Sequence, residues 1–401
     1  MGASLPEEEK CLLNRLVDCL LLLKEVRAPA VEEALRAVPR RLFLDHFFVE
    51  EGETRRELHV NHRRPSREVL EHIYRDVVLV THYEGDRATS SCSQPAVVAG
   101  MLEALELKPG MRVLEIGAGT GWNAALMAYL VGEEGEVVTV DIQKEVARAA
   151  RRHLRRAGFE RVRVITGDGG QGYARRAPYD RIITTASCSD VSPHWIEQLK
   201  EGGILVVLLR VFPRSDPAFK FRKQKDKLVG QLINWYGFMR LQGTYGEGGP
   251  VEILLEEPSE LVPVLSCPLD SRPVPWREMV GSREGLVRFS FVFFLGFADP
   301  RAVFVAPPLE GETYGLPPGG AYGLWDREGE SACLLGLEEL LVYGSEAMAE
   351  RFGELFQEWM AARAPLPSEY RIEVYPRSQA RRRPRRGWVT CRPFCQYIFR
   401  P

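Results

Sequence analysis

The chain has 401 residues, 45% hydrophobic and 27% charged, enough apolar material for two or three domains with packed cores. A formal charge of −2 and a pI near 6.4 argue against an overall electrostatic design for nucleic acid or an anionic membrane. Eight cysteines scattered along a long chain fit a reduced, cytoplasmic setting better than a disulfide-stapled secreted frame.

The opening MGASLPEEEK has no basic stretch leading into an apolar core, and the apolar run at 19–23 is far too short to span a bilayer. Neither export nor a membrane anchor is expected. Leu12, Leu16, Leu20 and Leu23 recur at helical spacing, and Val31, Leu35 and Val38 repeat the pattern after Pro29. This predicts a helical lead-in over residues 1–85, with the polar stretch 51–70 as a loop followed by a helix start.

Residues 86–215 alternate short β-branched runs with amphipathic stretches. Strands are predicted at 112–116, 136–141, 162–166, 181–185 and 204–209, and helices at 121–131, 144–157 and 193–199. The fold class is therefore α/β, a parallel sheet wrapped by helices in a Rossmann-like domain. Past Pro213 that rhythm stops; 251–255 and 286–294 read as β-rich and 345–362 as helical. Residues 216–401 are expected to form a separate α+β domain.

The sharpest local signal is VLEIGAGTGWNAALMAYL: an apolar strand, Glu115, then Gly117, Gly119 and Gly121 opening a helix. Glycines suit a chain that turns tightly at a strand end and lets a ligand approach its backbone. The second strand ends in Asp141, followed by Ile142, and an acid there can accept from two ribose hydroxyls. After the third strand come Gly167, Asp168 and Gly169, where Asp168 can accept from an adenine amino group. These elements, followed by YDRIITTA and GGILVVLL, point to S-adenosylmethionine (SAM) and a methyltransferase domain. The G-x-G-x-G spacing differs from the G-x-G-x-x-G of dinucleotide sites.

The turn after the fourth strand reads TTASCSDVSPHW and lacks the Asn/Asp-Pro-Pro-aromatic signature of enzymes that methylate base amines. No metal is expected: Cys391 and Cys395, spaced C-x3-C, have no His or Cys pair nearby to complete a site.

The stretch SSCSQPAVVAGMLEALELKPGMRVLEIGAGTGWNAALMAYLVGEEGEVVTVDI resembles protein-L-isoaspartate O-methyltransferase, as do VEEALRAVPRRLF and IYRDVVLV upstream. The resemblance covers about residues 30–210. It implies Ser93 as the active-site serine, Gly117 and Gly119 as the cofactor loop, Asp141 as the ribose acid and Asp168 as the adenine partner. It also places Ser91, Cys92 and Gln94 in the substrate segment. Where the family has Gly-x-Gly-Gln-Thr-Ile-Ser this chain has GDRATSSCS, so that segment is altered. With GTGWNAALMA, TTAS and WYGFMRLQG, the altered segment is similar to an enlarged branch whose members methylate an aspartate in ribosomally made peptides.

The expected chemistry is methylation of an aspartyl or isoaspartyl carboxylate in a protein or peptide, possible partners including a dedicated precursor peptide. Such a carboxylate, with a reference pKa near 4, is ionised at neutral pH and needs no general base. Ser93 then serves as an orienting donor or as a helix N-cap. Trp122 is a cofactor-tail contact or a core aromatic, and His194 and Trp195 are rim residues that contact substrate or pack a loop. Arg377 to Trp388 holds six arginines and no acid, a grip for an acidic peptide or RNA phosphates, or a solvated segment. An RNA methyltransferase and a silent SAM-binding module are the competing classes.

Overall fold

Glu7, Glu8 and Glu9 open helix α1 (Glu7–Leu22) where the helix dipole is positive, and Leu12, Leu13, Leu16, Val17 and Leu20 line its buried face. A computed structural model describes the chain apart from residues 1–5, 53, 212–215, 248–250, 256–258, 275–283, 309–312, 337 and 381–386. Helix α2 (Pro29–Ala37) starts at a proline, whose fixed φ suits the first turn, and its Arg36 bonds Asn14 and Asp18 of α1.

Strands β1 (His46–Glu51) and β2 (Thr54–His59), helix α3 (Arg67–Ile73), and strands β3 (Leu79–Glu84) and β4 (Arg87–Cys92) follow. The strands make an antiparallel sheet in the order β2-β1-β3-β4. The lead-in is therefore α+β rather than helical, and its sheet straddles the boundary expected at 85, which falls in the turn between β3 and β4. The polar stretch 51–70 hid a strand because β2 is an edge strand, charged and exposed on both faces except at Leu58.

The middle of the chain follows the expected alternation. Helix α4 (Pro95–Leu105) leads into β5 (Arg112–Ile116), α5 (Trp122–Val131), β6 (Glu136–Asp141), α6 (Lys144–Arg156), β7 (Arg163–Thr166), β8 (Tyr179–Cys188), α7 (Pro193–Gln198) and β9 (Leu199–Leu209). These strands are parallel in the order β7-β6-β5-β8-β9, the Rossmann-like α/β arrangement.

The boundary expected at 215 is not a domain boundary. Strands β10 (Asp216–Gln224) and β11 (Lys227–Tyr236) pair antiparallel onto β9, with Ala218 opposite Leu208 and Phe219 opposite Val207. Strands β12 (Val251–Leu254), β13 (Pro268–Pro273), β14 (Ala302–Ala306), β15 (Ala321–Asp326), β16 (Ser331–Leu335) and β17 (Glu339–Tyr343) form a separate six-stranded sheet, joined by α8 (Val262–Leu265) and α9 (Glu284–Ala298). After α10 (Ala347–Ala361), strands β18 (Arg371–Pro376), β19 (Trp388–Cys391) and β20 (Cys395–Arg400) return to the first sheet, which then holds ten strands ending β11-β18-β20-β19. Buried Asp190, just past β8, accepts from the Tyr397 hydroxyl at 2.6 Å and from the Phe394 and Cys395 amides at 2.8 and 3.1 Å, fastening the last strand to the parallel core.

The run at 286–294 is helical, part of α9, and not β-rich. It buries Phe291, Phe293, Phe294, Leu295 and Phe297 between the ten-stranded sheet and α10, and an apolar run buried this fully carries no periodicity to separate helix from strand. All eight cysteines are free; Cys391 is exposed, while Cys395 is buried with its thiol on the Val191 carbonyl. Among the described residues no helix is long and apolar enough to cross a membrane, and no His/Cys/carboxylate cluster could hold a metal. Arg381 to Arg386 of the arginine run lie outside the described residues.

One buried cation ties the lead-in to the rest. The Arg40 guanidinium, 1% exposed, donates to the carbonyls of Ile73, Arg75, Val77, Cys92 and Ser93 at 2.8–3.4 Å, and its Nε meets the Cys92 thiol at 3.2 Å. It also lies 5.4 Å from the Trp122 ring, whose indole N–H donates to the Val38 carbonyl. Trp122 is packed as a core aromatic and also lines the groove described below. Replacing Arg40 with methionine leaves those carbonyls without their donor and should cost about 3–5 kcal/mol of unfolding free energy in urea titrations; a loss below about 1 kcal/mol would contradict the assignment.

Candidate active site

The groove opens at the C-terminal ends of β5, β6 and β8, where the connections leaving β5 and β8 run toward opposite edges of the sheet. Ligands of open α/β sheets bind at such a switch point. Gly117, Gly119 and Gly121 have φ of +100°, +50° and +88°, the left-handed region that favours glycine. A Cβ on Gly117 would sit 2.6 Å from the Thr185 hydroxyl, and one on Gly119 would sit 3.1 Å from the Ser91 carbonyl. The loop therefore lies directly against the segment predicted to face substrate.

Two acids face the groove, and one of them holds this loop. Asp141 Oδ2 accepts from the Ala118 and Gly119 amides at 3.0 and 3.2 Å, and its Oδ1 from the Gln143 amide at 3.0 Å. Burial raises its pKa against those three bonds. Glu115 is fully buried; Oε1 takes the Asn123 amide at 2.7 Å, whereas Oε2 has no well-formed hydrogen bond, although the buried Thr139 hydroxyl lies near enough to favour its ionised form. Burial in this setting pushes Glu115 up to about 7. On the loop's far side, the Thr120 carbonyl meets His153 Nδ1 at 2.9 Å, and His153 Nε2 meets Asp45 at 3.0 Å. The bond from His153, joined by those from Arg156 and Arg152, holds the Asp45 carboxyl well below the usual range.

The acceptor segment is anchored separately. Gln94 is the N-cap of α4, yet its side chain donates to Asp76 at 2.9 Å, and Asp76 also accepts from the Ala96 amide at 2.8 Å. Asp76 thereby supplies the negative charge at the helix start. The Ser93 hydroxyl makes no hydrogen bond within the described residues and lines the groove, so the N-cap alternative for Ser93 does not hold. Gln143 donates across to the Thr89 carbonyl at 2.9 Å, linking the end of β6 to β4.

The groove, of about 980 Å³, brings together Glu115, Gly117, Gly119, Asp141, Ile142 and Gly169 on one side and Ser91, Ser93 and Gln94 on the other. Five predicted residues do not line it. Cys92 is buried against Arg40. Asp168 caps the Gly170 amide at 2.8 Å beneath Gly243. Trp195 is fully buried, its indole N–H on the Gly169 carbonyl at 2.9 Å, and His194, on the same short helix, is not among the groove's residues. Gly121 opens α5 without lining the cavity. Sequence reasoning missed Thr185, Arg210, Asp216, Trp235, Tyr236 and Arg240, which complete the walls. The run WYGFMRLQG was the available signal.

A model of the family described as protein-L-isoaspartate(D-aspartate) O-methyltransferase matches residues 13–241, more than half the chain. The chain belongs to that family. A protein-L-isoaspartate O-methyltransferase of Thermotoga maritima is 43% identical over 178 residues, 44% of this chain but little over half, 56%, of that protein. One from Ignicoccus hospitalis is 36% identical over 224 residues, covering 56% of this chain and 92% of its own. A solved protein-L-isoaspartate O-methyltransferase superposes with a TM-score of 0.54 at 24% identity, covering 90% of this chain and 95% of that one, a likeness of fold.

SAM is the family's methyl donor, and the residues fit it. The buried Glu115 carboxyl is short of a full set of hydrogen bonds, which suits an ammonium group, and the glycine cradle admits a ligand only in the absence of Cβ atoms.

Because the folded state prefers Glu115 protonated, its contribution to stability is complete below pH 4.5 and is lost as pH rises toward about 7. The unliganded protein should lose about 3 kcal/mol over that window relative to Glu115→Gln. Urea midpoints measured from pH 4.5 to 7.5 check this; parallel profiles for the two proteins would refute it.

Proposed function

We propose that this family member transfers a methyl group from SAM to the carboxylate of an isoaspartyl or aspartyl residue in a protein or peptide. The observation that carries the reading is a hydroxyl, that of Ser93, without a hydrogen bond, in the same groove as the under-bonded Glu115 carboxyl. SAM supplies an electrophilic methyl on a sulfonium; everything else is positioning by the chain.

Glu115 and Asp141 receive the polar ends of the donor, and the loop from Gly117 to Gly121 sets its depth. Ser93 donates to one oxygen of the acceptor carboxylate and leaves the other to attack. No base is required, because the acceptor is already ionised. Holding two reactants in line replaces a bimolecular encounter, and that is where the rate gain arises. Once esterified, the carboxyl carries methoxide as leaving group, and the neighbouring backbone amide can close a succinimide unaided.

A narrower reading is a dedicated peptide-maturation enzyme. In it, Glu252 of the six-stranded sheet, which reaches the groove lip, would contact the precursor peptide. Either way, labelled SAM and matched isoaspartyl and aspartyl peptides, read by mass spectrometry for ester and succinimide, test the proposal. Turnover of isoaspartyl peptides in general is the expected result. Activity confined to one precursor sequence would select the narrower reading, and failure with every carboxylate peptide despite SAM binding would sink both. Ser93→Ala should lower kcat/KM about 10- to 100-fold, the worth of one hydrogen bond to a charged group.

A further inference from the structure

The two halves of the groove carry opposite charge patterns. The donor half has Glu115 and Asp141, while the acceptor half has Arg87, Arg210 and Arg240 against Asp216 and Glu252. Asp216 is committed: Oδ1 takes the Ser187 hydroxyl at 2.6 Å and Oδ2 the Phe238 amide at 3.0 Å. Arg210 is buried and donates to the Gly246 carbonyl at 2.8 Å, and Arg87 lies 3.4 Å from Glu84.

Arg240 differs. Its backbone is pinned to the tip of β8, where the Ser187 amide donates to the Met239 carbonyl at 2.9 Å and the Leu241 amide to the Ser187 carbonyl at 2.8 Å. Its side chain is exposed at the lip, and among the described residues its guanidinium has neither a hydrogen bond nor an ion pair. Arg210 stands close enough for the two positive charges to repel. Asp216 attracts both guanidiniums, but its oxygens are bonded to neutral donors and it leaves the Arg240 fork without a hydrogen bond; a carboxylate matches that fork.

The reacting carboxylate is a poor candidate for that anion. Its charge vanishes on esterification, so a strong pair with it would stabilise the ground state more than the transition state. An exposed lip also suits a group that stays charged throughout.

Resting on the carboxyl-methyltransferase reading above, we propose that Arg240 is a specificity residue: it pairs with a second carboxylate of the peptide substrate, one flanking the residue that is methylated. The enzyme would thus prefer acidic sequence around its target.

The test uses the full-length protein and isoaspartyl peptides that differ only in Glu, Gln or Lys at positions flanking the acceptor. The wild type should favour the Glu peptide over the Gln peptide about tenfold in kcat/KM, chiefly through KM. Arg240→Ala should erase that preference, Arg240→Lys should keep part of it, and Arg240→Glu should favour the Lys peptide. Binding of S-adenosylhomocysteine, checked in each variant, reports intact folding. Equal kcat/KM for Glu and Gln peptides in the wild type, or an undiminished Glu preference in Arg240→Ala, would overturn the inference. Anisotropy with fluorescent Glu and Gln peptides in the presence of S-adenosylhomocysteine separates the two claims. Without any turnover, an Arg240-dependent preference in binding would uphold the inference while the catalytic reading fails, and equal binding would overturn the inference as well.

Discussion

Burying a guanidinium away from any carboxylate is expensive unless every donor finds an acceptor, and Arg40 satisfies its donors with the carbonyls of three separate segments. Those segments are the end of α3, the approach to β3 and the end of β4, and the last of them carries Ser93. The lead-in thereby fixes the acceptor segment against the glycine loop. Trp122, stacked near the same cation and bonded to the Val38 carbonyl, brings in the first turn of α5. A single cation thus links the donor-side and acceptor-side walls, and neither wall can shift without breaking hydrogen bonds that water does not replace.

The groove then divides by charge. Its donor half presents a buried acid without a full set of partners, suited to a cationic ligand, and its other half presents three arginines against Asp216 and Glu252, a positive excess suited to an anionic one. The division matches a reaction that neutralises one positive and one negative centre. The later parts of the chain reinforce it: β10 and β11 extend the parallel sheet, and the segment after β11 folds back across the tip of β8 to bring Arg240 to the lip.

The parallel core was legible because each strand is a short apolar run and α6 has a clear polar face; β5, β6 and the loop at 117–121 stand where they were expected. Edge strand β2 was not legible, since exposure on both faces removes alternation. Helix α9 was misread because burial on nearly all sides removes helical periodicity too. The break at 215 misled for another reason: prolines and glycines marked a switch from parallel to antiparallel pairing within one sheet, not a new domain. At the site, the glycines, Glu115, Asp141 and Ser93 could be read locally, because loop geometry and strand ends constrain residue type. Arg40, Thr185 and Arg240 could not, as each acts through segments distant in sequence. Trp195 was placed at a rim by its position after β8, whereas its indole is spent inside on the Gly169 carbonyl.

The central claim is that the acceptor atom is a carboxylate oxygen. It is tested most directly by transferring labelled methyl from SAM to an isoaspartyl peptide and, in parallel, to RNA, then exposing each product to mild base. Methyl esters hydrolyse under those conditions and N-methyl groups do not. Recovery of the label as volatile methanol from the peptide, with none incorporated into RNA, is the predicted result. Label that stays on the product after base, or that enters RNA alone, would contradict the account.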